Sequence, residues 1–72
     1  MQFRDKVKIK RNADTEKHGV DGLVGVIYGQ TTPSIIPVEV IGTLCEDVAF
    51  NVFFEEKNKS YWFSRENLEI LL

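Results

Sequence analysis

One imidazole and one thiol are all that the chain offers for nucleophilic chemistry: His18 and Cys45. With Asp47 to orient the ring, they could form a Cys–His dyad in which imidazole takes the thiol proton. Nothing in their spacing supplies an oxyanion hole, and both fall in expected loops. The plain alternative is a solvated histidine and a small half-buried thiol, so an enzyme is not expected. Asp14, Glu16, His18 and Asp21 alternate along one segment and could offer oxygens and one nitrogen. Their spacing fits neither a calcium loop nor a zinc site, so no metal and no cofactor is expected.

Binding chemistry is better represented. Lys6, Lys8 and Lys10 recur every second residue and would line one strand face, at a spacing that suits phosphates. The plain alternative is an outer strand kept soluble by lysines. Glu46 and Asp47 mark one turn, and Glu55 and Glu56 another. If the two turns share one end of the fold, they form a negative patch suited to a basic protein partner. Phe53 and Trp62 fall, by period two, opposite Phe50, Phe54 and Phe63. They would therefore point outward beside Asn51, unless the segment from Thr31 to Glu46 folds over them. Left uncovered, they are the natural anchors of a contact surface.

The elements that must position these residues are short strands. Phe3, Val7 and Ile9 occupy odd positions against three lysines, giving a half-buried strand over residues 5–11. Residues 12–20 show no apolar period and read as a loop. Residues 22–29 are β-branched and aromatic-rich, with glycines that suggest a bulge. Thr31-Thr32-Pro33-Ser34 is a turn signal, and Pro37 places the extra strand near Val38 to Ile41 at an edge. Val48, Phe50, Val52 and Phe54 form one face of the strongest strand. Residues 55–59 make a polar hairpin loop into Tyr61-Trp62-Phe63. Ser64 is placed to cap one 3-10 turn over Arg65 to Asn67, and Leu68, Ile70 and Leu72 share the last strand face. No helix of useful length is expected.

Seventy-two residues allow one domain with one small core, spanning 1–72. A single cysteine permits no internal disulfide, which suits a reducing compartment. The first residues hold no apolar leader core, and no apolar run approaches membrane-spanning length, so a cytoplasmic protein without membrane contact is expected. Residues 1–18 carry six Lys/Arg against three Asp/Glu, a net of +3, and the remainder three against eight, a net of −5. The chain as a whole is not steered to nucleic acid, although its first strand is locally attractive.

Two local patterns point to a known plan. Asp5-Lys6-Val7-Lys8-Ile9, a loop, then Gly22-Leu23-Val24-Gly25-Val26-Ile27 resembles the opening of KOW-type SH3-like modules. Trp62-Phe63-Ser64-Arg65-Glu66-Asn67-Leu68-Glu69 resembles the end of SH3 domains. The plan is also similar to small SH3-like immunity proteins of bacterial toxin–immunity systems. Polyproline recognition is excluded: Ser64 and Asn67 stand where peptide-binding SH3 domains have proline and tyrosine, and the loop 12–20 has no aromatic residue.

The expected fold is all-β, a single SH3-like barrel of five to six strands with one 3-10 turn near the C-terminus. The resemblance implies a non-enzymatic protein-binding module; the oligomeric state is left open, with a monomer favoured over pairing through the edge strand Ile35 to Ile41. Its sharpest form is an immunity-type inhibitor that meets a toxin through Phe53, Trp62, Glu46, Asp47, Glu55 and Glu56. The alternatives are a KOW-like module on RNA or the ribosome, carried by Lys6, Lys8 and Lys10, and an accessory subunit of a larger complex.

Overall fold

The computed structural model describes residues 2–44 and 46–71. The readings made of Cys45, and of Leu72 on the last strand face, lie outside them. The architecture is all-β: six strands in one curled, half-barrel sheet, with one 3-10 turn. Strand order is β3-β5-β4-β2-β1-β6, where β1 is Lys6–Ile9, β2 Val24–Thr31, β3 Val40–Ile41, β4 Ala49–Phe54, β5 Lys59–Phe63 and β6 Leu68–Ile70. Every pairing is antiparallel except β3 on β5, which is parallel. This order is compatible with an SH3-like barrel, with β3 added at one edge.

The period-two patterns produce the core. Val7 and Ile9 of β1, Ile27 of β2, Phe50, Val52 and Phe54 of β4, Phe63 of β5 and Leu68 of β6 are all buried and form one cluster with Val20 and Ile41. Phe54 and Phe63 meet edge to face, 5.9 Å between ring centroids, an arrangement that the ring quadrupoles favour. Gly25 is required at the β2–β4 contact. A Cβ there would stand 2.6 Å from Val52 Cγ1 and 2.8 Å from the Phe53 carbonyl oxygen.

The segment expected to be an unstructured loop contains a helix, α1, over Ala13–Lys17. Five residues are too few to show a 3.6-residue period, so its signals lie in the caps. The Asn12 side chain accepts from the Thr15 amide at 3.0 Å, and the Thr15 hydroxyl accepts from the Asn12 amide at 2.9 Å, a reciprocal capping box. At the other end Gly19 takes φ +69, its amide donates to Glu16 O, and the Val20 amide donates to Thr15 O. These two bonds are the Schellman pattern, and they turn Val20 into the core.

Ser64 also departs from expectation. It precedes the 3-10 turn Arg65–Asn67 but makes no side-chain bond to its backbone. Its buried hydroxyl instead accepts from the Asn67 side-chain amide at 3.0 Å.

Candidate functional site on the outer sheet face

Residues directly opposite on paired strands share a face. The registers therefore lay three rows across the outside of the sheet. Glu69, Lys8 and Val24 form one row; Lys6, Val26, Phe53 and Ser60 the second; Gly29, Asn51, Trp62 and Val40 the third. Phe53 and Trp62 are both on this outer face, as their period requires, and both are half-buried. The Trp62 ring runs past Asn51 toward Gly29, where a Cβ would lie 3.9 Å from Trp62 Cη2, an ordinary van der Waals contact.

Phe53 is covered by other aromatics. Tyr28 stacks on it with centroids 5.5 Å apart, and Phe3 stacks on Tyr28 at 5.7 Å. Phe3 remains 61% exposed and Tyr28 48%. Burial of an aromatic ring is worth about 2–3 kcal/mol, so this much exposure forgoes a substantial gain. A shallow groove of about 540 Å³ over the face is bordered by Lys6, Val24, Val26, Tyr28, Phe53 and Glu55.

Two irregularities build the stack. The β2–β4 register shifts between Ile27 and Gly29, so Tyr28 sits at a bulge and both it and Gly29 lie toward the outer face. The N-terminal turn supplies Phe3. The Asp5 carboxylate accepts the Gln2 amide at 2.8 Å, and Arg4 adopts φ +75, an uncommon value for a residue with a side chain. This turn breaks the alternation that would have put Phe3 beside Val7 and Ile9 in the core. The Arg4 guanidinium lies 5.5 Å from the Phe3 centroid, within cation–π range.

Phe3 and Tyr28 were missed as site residues. Tyr28 was detectable, since Val24, Val26 and Tyr28 alternate against Gly25 and Ile27. Phe3 was not, because its place depends on the Arg4 backbone.

The segment from Thr31 to Glu46 does not form a sheet layer over this face. Beyond Thr31, which ends β2, its only strand among the described residues, β3, extends the sheet beside β5, opposite Trp62 and Phe63.

The charged candidates are dispersed. Glu46 and Asp47 precede β4, whereas Glu55 and Glu56 follow it. Six strand residues at about 3.3 Å each separate the two pairs, so the four carboxylates do not form one patch. Asp47 is occupied within the chain: its carboxylate accepts the Ser34 amide at 3.0 Å and also the Ser34 hydroxyl. Only Glu55 borders the aromatic groove. Lys6 and Lys8 are exposed on the outer face, while Lys10, also exposed, borders a separate cleft with Glu46, Arg65 and Glu66.

Of the catalytic and metal candidates, His18, Glu16 and Asp21 are engaged within the chain. His18 closes α1, and its Nδ1 lies 2.9 Å from Asp14 O, a carbonyl that can only accept, so Nδ1 carries the proton. Glu16 and Asp21 both approach Arg11 Nε, at 3.3 and 3.7 Å. Among the described residues no three His, Cys, Asp or Glu side chains come together as a metal site, and no helix is long and apolar enough to cross a membrane.

No family model, no curated protein and no solved structure matches the chain.

Proposed function

We propose that the protein is a non-enzymatic protein-binding module built on an SH3-like barrel, and that its contact surface is the outer sheet face. The observation that carries this reading is the Phe3–Tyr28–Phe53 stack, left exposed although a core lies on the other side of the same strands. Contiguous apolar patches of this kind commonly mark interaction sites. Trp62 extends the patch across β5, and Glu55 and Lys6 give it a polar rim. The rings spend their faces on one another, which suits edge-on packing against a protein better than stacking on bases. The sharpest form of the proposal is an immunity-type inhibitor of a bacterial toxin, a cytoplasmic monomer that presents Phe53, Trp62, Glu55 and Glu56.

Affinity capture of the tagged chain from native lysate, with and without nuclease, tests this reading. One stoichiometric protein that survives nuclease and is lost with Tyr28→Ala and Trp62→Ala supports it. If both variants retain every recovered partner, the outer face is not the contact surface.

Lys6 and Lys8 flank the same face and support a second reading, a KOW-like module on RNA. Binding would then weaken steeply with salt and be abolished by Lys8→Glu.

A further inference from the structure

We infer that the open edge of β5 at Ser60 is a second contact site, independent of the aromatic stack, which pairs with an extended segment of a partner protein and holds a Lys or Arg side chain of that segment against Glu39. Strand β5 pairs with β4 along its whole length, but on its other side β3 reaches only Trp62 and Phe63. Lys59, Ser60 and Tyr61 are therefore uncovered there. The chain before β3 contains Pro37, which has no N–H to add to a ladder, and β3 begins only at Val40. Across this edge the Ser64 amide donates to Ile41 O at 3.3 Å. Backbone groups alternate sides along a strand, so the N–H and C=O of Ser60 face the same edge as those of Ser64. Neither is bonded to the backbone of residues 37–39, and Ser60 is exposed. An unpaired donor and acceptor on a strand edge are a template for one more strand.

The cleft at this edge selects the segment. It has a volume of about 380 Å³ and is bordered by His18, Val38, Glu39, Ser60 and Tyr61 among others, with no Lys or Arg. Glu39 is exposed and makes no ion pair among the described residues. His18 donates through Nδ1 to Asp14 O, which leaves Nε2 of the neutral ring as an acceptor. A carboxylate, an imidazole nitrogen and the Ser60 carbonyl all accept, so the complementary side chain is one that only donates: a guanidinium or an ammonium group. Val38 and Tyr61 give apolar surface for the methylene stem that carries such a group. The free Ser60 backbone asks for a peptide, since nucleic acid and lipid carry no strand to pair with it.

The test titrates the isotope-labelled full chain with a blocked peptide, acetyl-TVRVT-amide, and follows the backbone amides by NMR. Saturable shifts are expected at His18, Glu39, Ser60 and Tyr61, together with slower hydrogen exchange of the Ser60 amide. Citrulline in place of the peptide's arginine keeps the shape and removes the charge, and should weaken binding about tenfold. Glu39→Gln should weaken it comparably without moving the melting temperature. Ser60→Pro removes the open-edge donor and should abolish binding, while the pairing of β5 with β4 is kept, because that N–H faces away from β4. Tyr28→Ala should leave the titration unchanged, which separates this inference from the outer-face reading. No saturable shift at millimolar peptide, shifts confined to Phe3, Tyr28 and Phe53, or equal affinity for the citrulline peptide overturns the inference. So does a Ser60 amide already protected from exchange in the free chain, or binding unchanged by Glu39→Gln.

Discussion

The side chains of Asn12 and Asn67, 55 residues apart in sequence, are joined by a hydrogen bond of 2.6 Å from Asn12 Nδ2 to Asn67 Oδ1. Asn67 Nδ2 in turn donates to Ile41 O at 2.9 Å and to Ser64 Oγ at 3.0 Å. One buried amide thus ties the cap of α1, the end of β3 and the 3-10 turn together. No buried side-chain polar atom among the described residues lacks a partner. A saturated network of this kind rigidifies a small fold, and partial loss leaves buried polar groups unpaired.

Asn67→Ala should therefore cost about 2–4 kcal/mol, since it removes three bonds and leaves Ser64 and Ile41 O without this donor. A domain of this size has roughly 4–10 kcal/mol to lose. Urea unfolding should show a lower midpoint at an unchanged slope.

Gly42 faces the same amide at φ +108, and a Cβ there would overlap Asn67 Nδ2 and stand 2.6 Å from Ser64 Oγ. Gly22 has φ +76 but open space around it. Gly42→Ala should be the more damaging change, at about 3 kcal/mol or more, whereas Gly22→Ala should cost only the backbone strain of about 1–2 kcal/mol. Equal melting temperatures for the two variants would contradict this packing.

Within β2, Gly25→Ala should lower stability by about 1–3 kcal/mol, because its Cβ meets Val52, Phe53 O and Phe54 inside 3 Å. Gly29→Ala should be nearly neutral, with its nearest contacts at 3.7 and 3.9 Å. Thermal denaturation of the pair reads the difference directly.

Tyr28→Ala removes the middle ring of an exposed stack. The stability loss should stay within about 1–3 kcal/mol, since the ring is 48% exposed and each of its two aromatic pairs is worth about 0.5–1.5 kcal/mol. Partner affinity should fall by at least about tenfold. A titration calorimetry series on the captured partner, beside the melting curve, separates a contact residue from a scaffold residue.

Period two was enough to find β1, β4 and β5, and to set Phe53 and Trp62 opposite Phe50, Phe54 and Phe63, because each strand buries one face and the register follows from it. The 3-10 turn over Arg65–Asn67 was legible from Ser64 before it and from the resemblance to the end of SH3 domains, although Ser64 does not cap it. The short helix was not, because a five-residue element is specified by the Asn12 and Thr15 caps and by Gly19, not by a hydrophobic repeat. Position in space was decided by tertiary structure. The acidic pairs lie at opposite ends of β4 because the strand between them is extended, and Asp47 is bound to Ser34 across thirteen residues. Phe3 reaches Tyr28, which alternation along β2 already sets outward, only because Arg4 turns the backbone to positive φ. Burial pattern is a local property, so the residue order carried it; which exposed side chains become neighbours depends on turns and pairings that join distant segments.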